Sequence, residues 1–104
     1  MSGHNLRLVL ASHADADFDE IYLFTGERWG IEQAEEYAAA LQDAFQTITR
    51  HPEIGQRRNE FGRGIRSRVV KEHAVWYRIE GDVVRVLRIT HARINPANIQ
   101  FEDD

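Results

Sequence analysis

The sequence has no cysteine and no long uninterrupted hydrophobic run, and each absence excludes a class of protein. Zero cysteines among 104 residues remove disulfide bridges, thiolate catalysis and every metal site built on thiolate ligands. The stretch MSGHNLRLVL is interrupted by Arg7, so it lacks the hydrophobic region of a signal peptide. No run approaches the roughly 18 apolar residues of a membrane span. These absences predict a cytoplasmic protein, and the length predicts a single domain over residues 1–104.

Charge is unevenly distributed along the chain, although the formal net charge is only -4. Residues 1–56 carry three arginines against ten acids, whereas residues 57–93 carry ten lysines and arginines against four acids. An acidic part is therefore followed by a basic part, which is typical of a protein that meets charged partners. The acidic total disfavours a dedicated nucleic-acid-binding protein, whose domain pI is usually above about 9.

The first half of the chain is predicted to form a strand and two helices. Residues 5–11 alternate in the manner of a strand, and Ser12 then begins a helix in which its hydroxyl is placed to cap the first turn. The helical periodicity breaks at Gly30, resumes at once and ends before Pro52. So short a connection predicts an antiparallel helical hairpin. The helical spacing assigns three aromatic residues to the core: Trp29, Tyr37 and Phe45.

The second half has the pattern of three β-strands. Branched and aromatic residues cluster in IRSRVV, AVWYRI and VVRVLRITH. Gly81-Asp82 predicts a hairpin turn because glycine adopts the positive φ of a primed turn, and residues 71–73 predict another tight turn. The last strand is apolar on both sides and is predicted to be central. The fold class is therefore α+β, with the order β-α-α-β-β-β and the helical hairpin packed on one face of an antiparallel sheet.

Spacing excludes several kinds of catalytic or cofactor site. The five histidines never fall at the HxxxH or HExxH intervals of zinc sites, so no metal site is predicted. The turn at Gly62 and Gly64 lacks the lysine of a phosphate-binding loop and precedes a strand, and no GxSxG motif is present. We therefore expect no cofactor.

The remaining residues able to carry chemistry are the arginines and histidines of the predicted sheet. Strand alternation places Arg66 and Arg68 on one face, and it likewise places Arg85 and His91 on one face. Guanidinium groups can stabilise a phosphate, and an imidazole can act as general acid or base in RNA cleavage by the 2′-hydroxyl. The alternative is that these cations pair with acids, either of a partner or of the chain's own acidic half.

Five segments, in their order along the chain, carry a family resemblance: DFDEIYLFTGERWGIEQAEEY, HPEIGQRR, GIRSRVV, HAVWYRI and VVRVLRITHAR. From about Leu6 to Arg93 the chain resembles the ParE toxins of bacterial toxin–antitoxin systems, within the RelE/ParE superfamily. The resemblance implies the same β-α-α-β-β-β arrangement. It also implies a non-catalytic inhibitor of DNA gyrase that is neutralised by a ParD-type antitoxin, whose carboxy-terminal segment wraps the toxin.

The neighbouring RelE branch implies a different activity, the ribosome-dependent cleavage of mRNA. In that case the site would contain His91, Arg66, Arg68 and Arg88. The single lysine of the basic part, the acidic total and a tail after Arg93 without tyrosine or histidine favour the ParE branch instead. A third hypothesis is a copy that has lost toxicity and only binds its antitoxin.

An extended, amphipathic and partly acidic antitoxin segment is predicted to lie along the hairpin and the basic sheet. Complementary charge would speed association more than it deepens affinity. Neither a membrane nor a specific nucleic acid is predicted as a partner. The residues predicted to contact a partner are Arg63, Arg66, Arg68, Lys71, Arg88, His91 and Arg93.

Overall fold

The computed structural model describes residues 6–101, and Asn5, with which the predicted first strand begins, lies outside them. The elements are β1 (Arg7–Leu10), α1 (Ser12–Trp29), α2 (Ile31–Arg50), a short β2 (Gln56–Arg57), β3 (Ile65–Val70), β4 (His73–Glu80) and β5 (Val83–His91). Short 3₁₀ helices cover Asn59–Phe61 and Pro96–Asn98. No helix in this range combines the length and apolar character of a membrane-crossing segment.

The strands form one mixed sheet in the order β1-β5-β4-β3-β2. β3, β4 and β5 are joined by tight turns and pair antiparallel, as predicted, with Gly81 at a φ of 62° in the second turn. β1 differs from the prediction because it runs parallel to β5. The two strands are joined by a long crossover through both helices, and such a connection permits parallel pairing. The alternation of residues that predicts a strand does not determine whether that strand pairs parallel or antiparallel with its neighbour.

A β-bulge in β5 changes which side chains share a face. Trp76 pairs with Arg88 and Tyr77 pairs with Val86, so Leu87 is an additional residue without an opposite partner. One extra residue reverses the alternation beyond it. The prediction that Arg85 and His91 share a face is therefore wrong. The register pairs Arg85 with Arg78 and His91 with His73.

Both faces of the sheet are buried, each by a different part of the chain. On one face, Val84, Val86 and Ile89 join Leu41 and Phe45 of α2 in the larger core cluster. On the other face, the smaller cluster contains Ile65, Ala74, Trp76 and Leu87, which are packed against Phe61, Ile99 and Phe101. The carboxy-terminal segment thus covers the face that the helices leave open.

The predicted aromatic core is only partly confirmed. Phe45 is 5% exposed, and Tyr37 is half-buried at the edge of the larger cluster. Trp29 is 65% exposed, so its assignment to the core is wrong. It is the last residue of α1, an 18-residue helix whose end carries Trp29 to the exposed tip of the hairpin. Helical spacing identifies the apolar face of a helix, but it does not show whether the rest of the protein extends far enough to cover that face along its whole length.

The predicted helix cap also differs. Ser12 is the first residue of α1, as expected, but the N-cap position is occupied by Ala11, and no side chain caps the helix there. The chain enters α1 directly from β1, since the Ala11 amide still bonds the Val86 carbonyl at 2.9 Å. Ala11, at the N-cap position, therefore takes part in the hydrogen bonding of the sheet.

Asp17, in the second turn of α1, joins the helical hairpin to the centre of the sheet. Its carboxylate accepts hydrogen bonds from Arg88 Nε at 2.8 Å, from Arg88 Nη2 at 3.0 Å and from the Ile89 amide at 2.9 Å. β1 ends opposite Val86, so the Ile89 amide lies beyond the reach of the neighbouring strand. The carboxylate therefore takes the place of a strand partner.

Replacing Asp17 is expected to destabilise the protein strongly. Asp17→Asn removes the charge that neutralises the half-buried Arg88 guanidinium, so we expect a loss of about 2 kcal/mol in the free energy of unfolding. Asp19→Asn is the matched control, because Asp19 is exposed on the same helix. Urea unfolding at neutral pH measures both variants. Equal stability of the two variants would contradict the assigned role of Asp17.

Candidate functional site

A groove of about 1020 Å³ opens beneath the tip of the helical hairpin, at the edge where β4 begins and β5 ends. We call it the hairpin groove. α1 supplies an apolar wall of Ile21, Phe24 and Trp29. α1 also supplies Glu20, Thr25 and Arg28. The rest of the lining is polar and comes from α2, the turn before β4, the start of β4 and the end of β5: Gln33, Tyr37, Lys71, Glu72, His73 and His91.

Tyr37 fixes the orientation of His73 in this groove. The Tyr37 hydroxyl lies 2.5 Å from His73 Nδ1 and accepts a hydrogen bond from the Glu72 amide at 3.1 Å. The phenolic oxygen accepts from Glu72, and we assign its own proton to the hydrogen bond with Nδ1. The neutral His73 ring therefore carries its proton on Nε2.

His91 has the same tautomer for a different reason. The Arg93 amide donates to His91 Nδ1 at 3.2 Å within the turn that follows β5, which leaves the ring proton on Nε2. The two imidazole rings are register partners, with centroids 5.6 Å apart. Both rings thus use Nδ1 as an acceptor and keep Nε2 as an N–H donor. At the accessible nitrogens this pair donates hydrogen bonds and offers no general base.

His73 Nε2 is accessible from the solvent. Neither imidazole Nε2 has a hydrogen-bond partner among residues 6–101, yet no side-chain nitrogen or oxygen there is both buried and unpaired. His91 is exposed as a whole. Because both residues line the hairpin groove, these N–H groups are available to a molecule bound there.

Burial lowers the pKa of His73 below its usual value, and the neighbouring His91 lowers it further, while Glu72 and Asp17 act in the opposite direction. Burial raises the pKa of Tyr37 above its usual value. His73 is therefore neutral near pH 7, and Tyr37 keeps the proton that it donates to Nδ1.

Two of the three arginines predicted as ribonuclease candidates, Arg66 and Arg88, are hydrogen-bonded within the chain. Arg88 pairs with Asp17 and also donates to the Gln100 carbonyl. Arg66 donates to the carbonyl oxygens of Glu53 and Gly55, at 3.1 and 2.9 Å, and so holds the loop after α2. Arg68 is half-buried and lines a second cavity, of about 390 Å³. His91 lies apart from them, beside His73.

The other predicted partner contacts are exposed cations. Arg63 lies in the turn before β3, Lys71 on the rim of the hairpin groove and Arg93 in the turn after β5. Arg78 and Arg85 share Glu80, with Nε to carboxylate distances of 3.2 and 2.9 Å. Residues 6–101 contain no group of three or more acids and histidines arranged to hold a metal ion.

Sequence reasoning missed the pairing of Tyr37 with His73. Helical spacing predicts Tyr37 in the core, and the sequence pattern predicts His73 in a tight turn. One signal was present: alternation along β4 puts His73 on the same face as Val75 and Tyr77, which is the face covered by the helices. The distance between Tyr37 and His73 depends on tertiary packing, for which the sequence carried no signal.

Solved structures show that this fold is that of RelE/ParE-like proteins. The chain matches one from the chromosomal ParDE toxin–antitoxin system of P. aeruginosa with a TM-score of 0.73 at 22% identity, covering 86% of this chain and 98% of that one. It also matches a chain of the RelBE2 toxin–antitoxin complex of Mycobacterium tuberculosis, with a TM-score of 0.62 at 22% identity, covering 85% and 99%. The α+β class is confirmed.

Sequence comparison identifies the family. Residues 8–96 match the family model of the ParE toxin of the type II toxin–antitoxin system parDE. Toxin ParE1 of Caulobacter vibrioides is 37% identical over 86 residues, covering 83% of this chain and 88% of that protein. Toxin ParE1 of Mycobacterium tuberculosis is 34% identical over 90 residues, covering 86% and 92%. The chain belongs to the ParE toxin family, as the resemblance indicated.

The lowered pKa of His73 predicts a loss of stability in acid. Because the folded pKa lies below the unfolded value of about 6.5, the contribution of His73 is present above that pH and is lost as the pH falls below it. Urea unfolding should show that the free energy of unfolding falls less between pH 7.5 and pH 5.5 in His73→Gln than in the wild type. The glutamine side chain keeps an acceptor for the Tyr37 hydroxyl. His51→Gln, at the other end of α2, is the control and should lose as much as wild type. An equal loss in all three proteins would contradict this role.

Proposed function

We propose that this protein, as one toxin domain over residues 1–104, acts in the bacterial cytoplasm by binding and inhibiting DNA gyrase. A ParD-type antitoxin would neutralise it. Membership of the ParE family and similarity to chains from ParDE and RelBE toxin–antitoxin systems support the pairing with an antitoxin. Inhibition of gyrase is the activity that the family resemblance implies.

The observation that carries a binding mechanism, rather than cleavage of RNA, is the engagement of the arginines. A ribonuclease needs cations free to meet a phosphate and a base within reach of the 2′-hydroxyl. Arg66 and Arg88 instead make hydrogen bonds within the chain. His91 presents a donor nitrogen, since its Nδ1 is occupied by the Arg93 amide. These contacts favour a protein that acts by occupying a surface of its target.

Purified protein is expected to inhibit the supercoiling of relaxed plasmid by gyrase and to leave ribosome-bound mRNA intact. Inhibition should rise with the molar ratio of toxin to gyrase, because a binding mechanism is stoichiometric. The same preparation incubated with translating ribosomes provides the comparison. Cleaved mRNA with unaffected gyrase would favour the RelE-type activity, and His91→Ala would then abolish the cleavage. Inactivity in both assays would favour a copy that only binds antitoxin.

Association with the antitoxin is expected to depend on salt through the rate of encounter. Exposed arginines on the basic part attract an acidic segment, and salt screens attraction over distances beyond about 10 Å at 0.1 M. The association rate should fall several-fold as salt is raised, while the dissociation rate changes less. The double variant Arg63→Gln with Arg93→Gln should reduce the association rate at low salt, and Arg7→Gln, on the acidic part, is the matched control. An association rate independent of salt would refute the electrostatic contribution.

A further inference from the structure

We infer that the hairpin groove binds a carboxylate carried on an apolar segment of the antitoxin, and that Nε2–H of His73 and Nε2–H of His91 donate hydrogen bonds to it. This inference rests on the proposed pairing with an antitoxin and names the chemistry of one contact within it.

Two N–H donors on neighbouring rings favour a ligand with two acceptor atoms. The rings of His73 and His91 are 5.6 Å apart, and each has its Nδ1 occupied within the protein. Both present Nε2–H whether the ring is neutral or charged, so the pair favours a ligand that accepts two hydrogen bonds. A carboxylate has two oxygens and makes charge-assisted bonds with such donors.

The charges around the groove favour a single carboxylate over a polyanion. Lys71 and Arg28 line the groove and add attraction for an anion. Glu20 and Glu72 also line it, and they would repel the successive phosphates of a nucleic acid. One acidic side chain on a polypeptide can approach the imidazoles without bringing further charges toward these two acids.

The apolar wall indicates what carries the carboxylate. Phe24 is 59% exposed and Trp29 is 65% exposed, next to the exposed Leu23 and Ile31 at the tip of the hairpin. The Arg28 guanidinium lies 5.9 Å from the Phe24 ring and 5.8 Å from the Trp29 ring, so it flanks these aromatic side chains. Large apolar side chains grouped in this way are typical of a protein interaction site. An acidic residue followed by aliphatic or aromatic residues would satisfy both parts of the groove.

The test uses phenylbutyrate as the probe, since it joins one carboxylate to an apolar group, and phenylbutanol as its neutral match. NMR spectra of the imidazole nitrogens of the full chain report the tautomers and the binding. We expect Nε2–H on both rings, saturable shifts with phenylbutyrate and about tenfold weaker binding of phenylbutanol. His91→Gln should weaken phenylbutyrate binding by a similar factor, because an exposed side chain is changed and one imidazole donor is lost. His51→Gln should leave the affinity unchanged.

Several results would overturn the inference. These are a proton on Nδ1 in either ring, equal binding of the alcohol and the acid, tighter binding of inorganic phosphate or of an oligoribonucleotide, or self-association of the chain through the groove. Saturating antitoxin should displace bound phenylbutyrate. If the antitoxin binds and the probe stays bound, the inference fails while the toxin–antitoxin pairing stands. If the antitoxin does not bind at all, the proposed function itself fails.

Discussion

The carboxylate of Asp17 is the contact on which the relation between the helices and the sheet depends. It accepts the Ile89 amide at the point where β5 has passed the end of β1, and it neutralises Arg88 on the same strand. With side-chain exposures of only 13% for Asp17 and 24% for Arg88, this pair is shielded from most of the solvent that weakens exposed ion pairs. Because α1 is held there, its far end projects beyond the sheet and forms one wall of the hairpin groove. A fold contact therefore determines the geometry of the candidate site.

Because of the bulge at Leu87, Arg85 and His91 of β5 lie on opposite faces of the sheet. Before it, Arg85 lies on the face of Arg78, where both share Glu80. Beyond it, His91 comes to lie beside His73, on the face of the helices. If the same residues alternated regularly without the bulge, His91 would lie on the face of Arg85, which the carboxy-terminal segment covers, and Tyr37 and His73 would have no second imidazole beside them. Bulges are often found next to functional sites for this reason, since they redirect individual side chains.

Local signals predicted much of this fold. The turn at Gly81, the breaks at Gly30 and Pro52 and the two apolar sides of the last strand are properties of neighbouring residues, and each was confirmed. Features that depend on distant parts of the chain were missed or wrong. The parallel pairing of β1, the exposure of Trp29 and the separation of Arg85 from His91 follow from packing and from one bulged residue. The candidate site is of the second kind, because Tyr37 and His73 are 36 residues apart and meet only when the hairpin docks on the sheet.

Stability and function make opposite demands on the charged residues of this protein. Every arginine that completes the fold by bonding a carboxylate or a carbonyl is removed from the set available to hold a substrate phosphate, and Arg66 and Arg88 are both used in this way. The two imidazoles are also constrained by contacts within the protein, because the Tyr37 hydroxyl and the Arg93 amide fix the tautomers in which Nε2 is the donor. A small domain that commits Arg66 and Arg88 internally retains shape, apolar surface, exposed cations and a few oriented N–H groups, and these are properties of recognition rather than of acid–base catalysis.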